Sequence, residues 1–117
     1  VARFLSEEWL DLVRDAVPAI GTRIDCAVTG APGGDVKLHL DGDDVGLGPL
    51  DGADVSLTIP YAEALAIARG ELQPTVAFMQ GRMKTAGDPG RLLEVLAATA
   101  TSGFREGLER VASATEF

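Results

Sequence analysis

The feature that most restricts the fold of this chain is a change of hydrophobic period, from helical to alternating and back again. Leu5, Trp9, Leu12, Val13 and Ala16 share one side of a helix. Ser6 is placed to cap it, and Glu7 and Glu8 suit its first turn, where backbone N–H groups point outward and favour negative charge. Pro18 and Gly21 end it. From there the period is two. Ile24, Cys26 and Val28 alternate with Asp25, Ala27 and Thr29, and Val36, Leu38 and Leu40 alternate with Lys37, His39 and Asp41. The turn signal Gly30-Ala31-Pro32-Gly33-Gly34 lies between them, which predicts an antiparallel hairpin with one apolar face. Asp41-Gly42 turns into a short third strand around Val45 and Leu47. Asp51-Gly52 turns into a fourth, carrying Val55, Leu57 and Ile59.

The second half returns to helical spacing. Pro60 can open a helix whose buried side holds Ala64, Leu65 and Ala68 and which Gly70 can end. A short helix is expected from Pro74 to Gln80, then a fifth strand from Arg82 to Ala86. After Gly87-Asp88-Pro89 comes a helix with Leu92, Leu93, Val95 and Leu96. The last helix aligns Phe104, Leu108, Val111 and Ala112, but contains Gly103 and Gly107, each costing roughly 1 kcal/mol against Ala. A weak helix with an apolar stripe at a chain end predicts a mobile lid over residues 101–117. The whole pattern predicts one α+β domain over residues 1–117. Its sheet has about five strands, with the helices of residues 60–117 packed on one face. Cys26, Val28, Leu38, Leu40 and Leu57 should point at those helices, and the late fifth strand is expected to cross over beside an early one.

Charge narrows the partners. The net charge is −8. Residues 1–59 hold four basic and eleven acidic side chains, whereas residues 60–117 hold six and seven. Such a surface repels phosphate backbones and anionic bilayers, so nucleic acid is not an expected partner and stable membrane insertion is not expected either. The near-neutral second half is where an anionic ligand could be met. The single cysteine excludes an intramolecular disulfide and suits a reducing compartment. No apolar run reaches the roughly 20 residues of a membrane span. Neither a secretory leader nor a receptor-read tail is visible, so a cytoplasmic location is expected. Eight arginines against two lysines suggest a GC-rich bacterial genome.

Candidate chemistry is sparse. His39 shares the polar side of a strand with Lys37 and Asp41, and Cys26 has the parity of the core residues Ile24 and Val28. No nucleophile and base are brought together by local spacing. Asp41-Gly42-Asp43-Asp44 begins like a calcium loop, but Val45 and Gly52 stand where that loop needs oxygen ligands. Cysteines and histidines are too few for a structural zinc site. Arg82 and Lys84 share a strand parity, with Arg91 nearby. They are either an outer strand face or an anionic-headgroup site at a pocket rim.

One stretch is more specific. Asp54-Val55-Ser56-Leu57-Thr58-Ile59 opens a strand, and the next helix ends at Ala68-Arg69-Gly70-Glu71-Leu72. Pro74, Ala77-Phe78-Met79-Gln80 and Gly81-Arg82-Met83-Lys84-Thr85-Ala86-Gly87-Asp88 follow. This resembles the sterol carrier protein 2 family, also called non-specific lipid-transfer proteins, over about forty residues. The resemblance implies a five-stranded, largely antiparallel sheet with helices on one face and an apolar tunnel between them. It implies binding of fatty acids, fatty acyl-CoA, sterols or phospholipids, with no catalytic residue and no cofactor. The ligand-facing residues are expected among Cys26, Val28, Leu38, Leu40, Leu57, Phe78, Met79, Met83, Leu92, Leu96, Phe104 and Leu108. Arg82 and Lys84 are the candidate headgroup contacts. The peroxisomal tripeptide of eukaryotic members is absent, and few aromatics are available to line a cavity. The competing readings are a module that presents a lipid or polyprenyl substrate to a lipid-processing enzyme, an enzyme using Cys26 or His39, and a solid structural domain.

Overall fold

The computed structural model describes residues 2–42 and 44–117, which leaves Asp43 of the acidic turn outside the described residues. Strand β1 (Ala2–Arg3) leads into helix α1 (Glu7–Ala16), which is followed by β2 (Ile24–Thr29), β3 (Val36–Asp41), β4 (Asp44–Leu47) and β5 (Val55–Pro60). Helices α2 (Tyr61–Ala68) and α3 (Pro74–Met79), strand β6 (Lys84–Gly87), helices α4 (Pro89–Thr99) and α5 (Ser102–Ser113) and strand β7 (Thr115–Glu116) complete the chain. The architecture is α+β. The main sheet is five-stranded in the order β4-β3-β2-β5-β6, and all its pairings are antiparallel except β2 with β5.

Local chemistry fixes the elements. The Ser6 hydroxyl accepts from the Trp9 N–H at 3.2 Å, and the Asp88 carboxylate accepts from the N–H groups of Gly90 and Arg91 at 2.8 and 3.2 Å. Each satisfies donors that the first helical turn would otherwise leave unpaired. Asp54 accepts the Arg23 N–H at 3.2 Å, and Arg23 reaches on to Asp41 and to the carbonyls of Asp51 and Gly52. That side chain ties the turn before β5 to the end of β3.

Four features differ from the sequence-based expectation. The fifth strand pairs with its own predecessor, β5, and the crossover is instead the connection from β4 to β5, which sets β5 parallel beside β2. That strand starts at Lys84, because the Arg82 N–H closes the turn after α3 on the Ala77 carbonyl at 2.8 Å. The sheet face is not covered by residues 60–117 alone. Helix α1 also lies on it, with Leu10 2 % exposed in a core cluster that includes Val28, Leu38, Val45 and Ile59. Finally, the chain end is tethered. Strand β7 pairs in parallel with β1, Arg110 donates to the Ala16 carbonyl at 3.1 Å, and a Cβ at Gly107 would run into that same carbonyl. Gly107 weakens α5 as a helix but permits its backbone to touch the end of α1.

Candidate functional site

The inner face of the sheet is not uniformly filled. Its three central rungs are Ile24 paired with Val55, Cys26 with Leu57, and Val28 with Ile59. All six side chains have the same parity, so all face the helices. The outer two rungs are the more deeply buried, with Ile24, Val28, Val55 and Ile59 between 0 and 6 % exposed, although Ile24, Val28 and Ile59 also border the hollow under the helices. Cys26 and Leu57 are only half-buried, as is Leu40 on the adjoining strand. They form the floor of a cavity of about 230 Å³ between sheet and helices.

The walls come from elements far apart in sequence. Helix α1 and its flanks give Phe4, Leu5, Trp9, Leu10, Val13 and Val17, while α2 gives Ala64 and Ile67. Helices α4 and α5 give Val95, Leu96, Phe104 and Leu108. Phe4 and Trp9 meet edge to face, with ring centroids 5.0 Å apart, an arrangement that puts a positive ring edge on a negative face. Leu5 sits in the wall at φ 65°, a left-handed backbone uncommon for a branched residue. The Trp9 indole N–H is buried and meets no acceptor among the described residues.

Of the expected ligand-facing residues, Cys26, Val28, Leu38, Leu40, Leu57, Met83, Leu96, Phe104 and Leu108 lie around this cavity. Phe78 packs on the core cluster from one side, Leu92 is half-buried away from the cavity, and Met79 points into solvent at 82 % exposure. Arg82 and Lys84 are also outside it. Arg82 pairs with Glu63 at 3.6 Å, and Lys84 is exposed on β6 opposite Thr58. Residues 4–20 supply about a third of the wall, although their spacing predicts only an ordinary helix. The apolar stripe of that helix was the available signal, since such a stripe must cover something.

Cys26 and His39 occupy unlike surroundings. Cys26 borders the cavity, and burial, helped by the nearby Asp25 charge, pushes its thiol up to about 12. A protonated thiol is a poor nucleophile. His39 lies on the other sheet face, where its Nδ1–H donates to the Gly48 carbonyl at 3.0 Å. The two side chains have opposite strand parity and cannot act on one substrate. No helix among the described residues is long and apolar enough to cross a membrane.

Comparison with known proteins agrees with this architecture. The structure is similar to that of sterol carrier protein 2 like 2 from Aedes aegypti, with a TM-score of 0.63 and 21 % identity, covering 77 % of this chain and 89 % of that one. It is similar to the solution structure of palmitated SCP2L2 from Aedes aegypti, with a TM-score of 0.65 and 20 % identity, covering 80 % and 90 %. A conserved hypothetical protein from Thermus thermophilus gives 0.61 and 20 %, covering 95 % of this chain and 91 % of that one. Among curated protein sequences, none matches. At these identities the likeness shows the fold. The sequence itself goes further: residues 7–98 match the SCP-2 sterol transfer family, and the chain belongs to that family.

Proposed function

We propose that residues 1–117 act as one cytoplasmic, non-catalytic unit that binds a lipid-like molecule, with the alkyl part of the ligand lying in the cavity over Cys26 and Leu57. The observation that carries this reading is the apolar hollow between sheet and helices, which leaves Cys26 and Leu57 half-buried while their neighbours on the same strands are buried. A void of this volume, kept dry and rigid, would cost roughly 5–6 kcal/mol at about 24 cal/mol per Å³. That approaches the whole stability of an average domain, about 5–15 kcal/mol. A ligand that fills the hollow removes much of that cost and buries its own chain. Family membership supports the same reading, as does the palmitate carried by one structural relative. Fatty acids, acyl-CoA, sterols and phospholipids are the ligand classes to test. The narrower version, in which the ligand is held for a lipid-processing enzyme, requires that enzyme to co-purify with the loaded protein.

Native mass spectrometry of freshly purified protein, followed by organic extraction and a thermal-shift series over these classes, tests the reading. Saturation at a hundred times Kd should stabilise the fold by about 2.7 kcal/mol and raise Tm by several degrees. If no apolar ligand co-purifies and no class raises Tm, lipid binding is not the function.

A further inference from the structure

A second hollow adjoins the first. It is a cleft of about 240 Å³ between the α2–α3 connection and helices α4 and α5. Ile67, Pro74, Thr99, Phe104 and Leu108 line both the apolar cavity and this cleft, so the two are adjacent. The two differ in charge. The cleft is bordered by Arg69 and Arg105, with Glu109 as its one acidic residue.

Four of the eight arginines, Arg3, Arg69, Arg105 and Arg110, hold no carboxylate among the described residues, and two of those four border this cleft in a chain of net charge −8. Arg14, Arg23, Arg82 and Arg91 each hold a carboxylate at 3.0–3.6 Å. Arg69 and Arg105 hold none among the described residues, although Glu109 lies one turn beyond Arg105. The guanidinium of Arg69 lies over the Phe117 ring, 5.2 Å from its centroid. That contact engages the flat face and leaves the N–H donors of the edge available for an anion. Each arginine also follows closely on a wall residue, Arg69 on Ile67 and Arg105 on Phe104, so the charges sit at the boundary of the apolar space.

We propose that the Arg69–Arg105 cleft is the anionic-headgroup site of the apolar cavity. It takes the carboxylate or phosphate of a ligand whose alkyl chain lies over Cys26 and Leu57. This rests on the lipid-binding reading above. It transfers the headgroup role from Arg82 and Lys84, which border neither hollow, to two cations that border the cleft. A chain threaded between Phe104 and Ile67 would keep its tail dry and its charge wet, which is what an amphipathic ligand requires.

The test is the binding of hexadecanoate, hexadecyl phosphate and hexadecanol to the wild type and to the double variant Arg69→Gln/Arg105→Gln, read by quenching of Trp9, the only tryptophan and a cavity-wall residue. Inorganic phosphate alone is the fourth probe. In the double variant the two anionic ligands should weaken by roughly tenfold while hexadecanol is unchanged, and added salt should reproduce the loss in the wild type. Replacing Arg82 and Lys84 by Gln should change nothing. Unchanged affinity of the double variant for all three lipids would overturn the headgroup site while leaving the carrier reading intact. Equal loss of hexadecanol, with the circular dichroism of the wild type retained, would show that the arginines only shape the cavity and would also overturn it. Tight binding of phosphate without an alkyl chain would detach the cleft from the cavity. Failure of all three lipids to bind the wild type would instead remove the lipid-binding reading itself.

Discussion

Ile24 and Cys26 stand two residues apart on one strand and one face and both border the cavity, yet Ile24 is 2 % exposed and Cys26 is half-buried. The same holds across the sheet, where Val55 is wholly enclosed and Leu57 is not. Nothing in the backbone separates these positions, since the register is unbroken from Ile24–Val55 to Val28–Ile59. What differs is the layer above. Over Val55 the covering layer leaves no hollow, and over Cys26 and Leu57 it does. An apolar face can therefore serve as packed core and as cavity wall within a single strand.

The strongest way to break this comparison is to truncate both regions. Ile24→Ala truncates a side chain only 2 % exposed and should cost about 4 kcal/mol, whereas Leu57→Ala truncates a half-buried one and should cost about half as much. Urea unfolding measures both, and equal costs would mean that the middle rung is packed in solution.

A smaller effect comes from Cys26. Its thiol titrates about 12 in the folded chain against 9.0 unfolded, so between these values the unfolded chain releases a proton that the folded one keeps. Stability contributed at lower pH is then lost as pH rises from 9 towards 12, by up to about 1.4 kcal/mol per pH unit. Cys26→Ala should flatten that part of the stability curve relative to the wild type. Matching slopes would mean that water reaches the sulfur in the folded chain.

The smallest expected change is at Trp9. Its buried N–H has no acceptor among the described residues, so Trp9→Phe sacrifices ring area without breaking a hydrogen bond. The variant should lose less than about 1.5 kcal/mol by thermal unfolding, because removing an unsatisfied donor offsets part of the lost packing. A larger loss would place Trp9 with the deeply buried rungs.

Much of this was legible before any coordinates. Alternation with period two located β2, β3 and β5 within a residue or so, and the Ser6 cap formed at the end where its residue type placed it. What escaped depends on contacts between distant segments. The parallel join of β2 to β5 leaves no mark in either strand's own pattern. The β1–β7 pair is two residues long on each side, too short to carry a period. Gly107 read as a flaw in α5 because the carbonyl it accommodates belongs to Ala16, far back in the chain. Arg82 and Lys84 keep their shared parity, both exposed on either side of buried Met83, but it turns them away from the cavity. Arg69 and Arg105 share a cleft although neither lies near the other in sequence.

The parallel join also sets an order in time. Strands β2, β3 and β4 can zip up through local turns, but β5 must return from Asp54 across the whole meander to reach the free edge of β2. Closing such a long loop before any reward is received is the slow kind of step in folding. The Cys26–Leu57 rung does not exist until that step is complete, so no ligand that needs the rung can help the chain reach it. Such a ligand would act on the exit alone: refolding would proceed at the rate of the empty chain, and unfolding would slow in proportion to occupancy. The loaded protein would then be marked by its lifetime once folded rather than by the speed of its making.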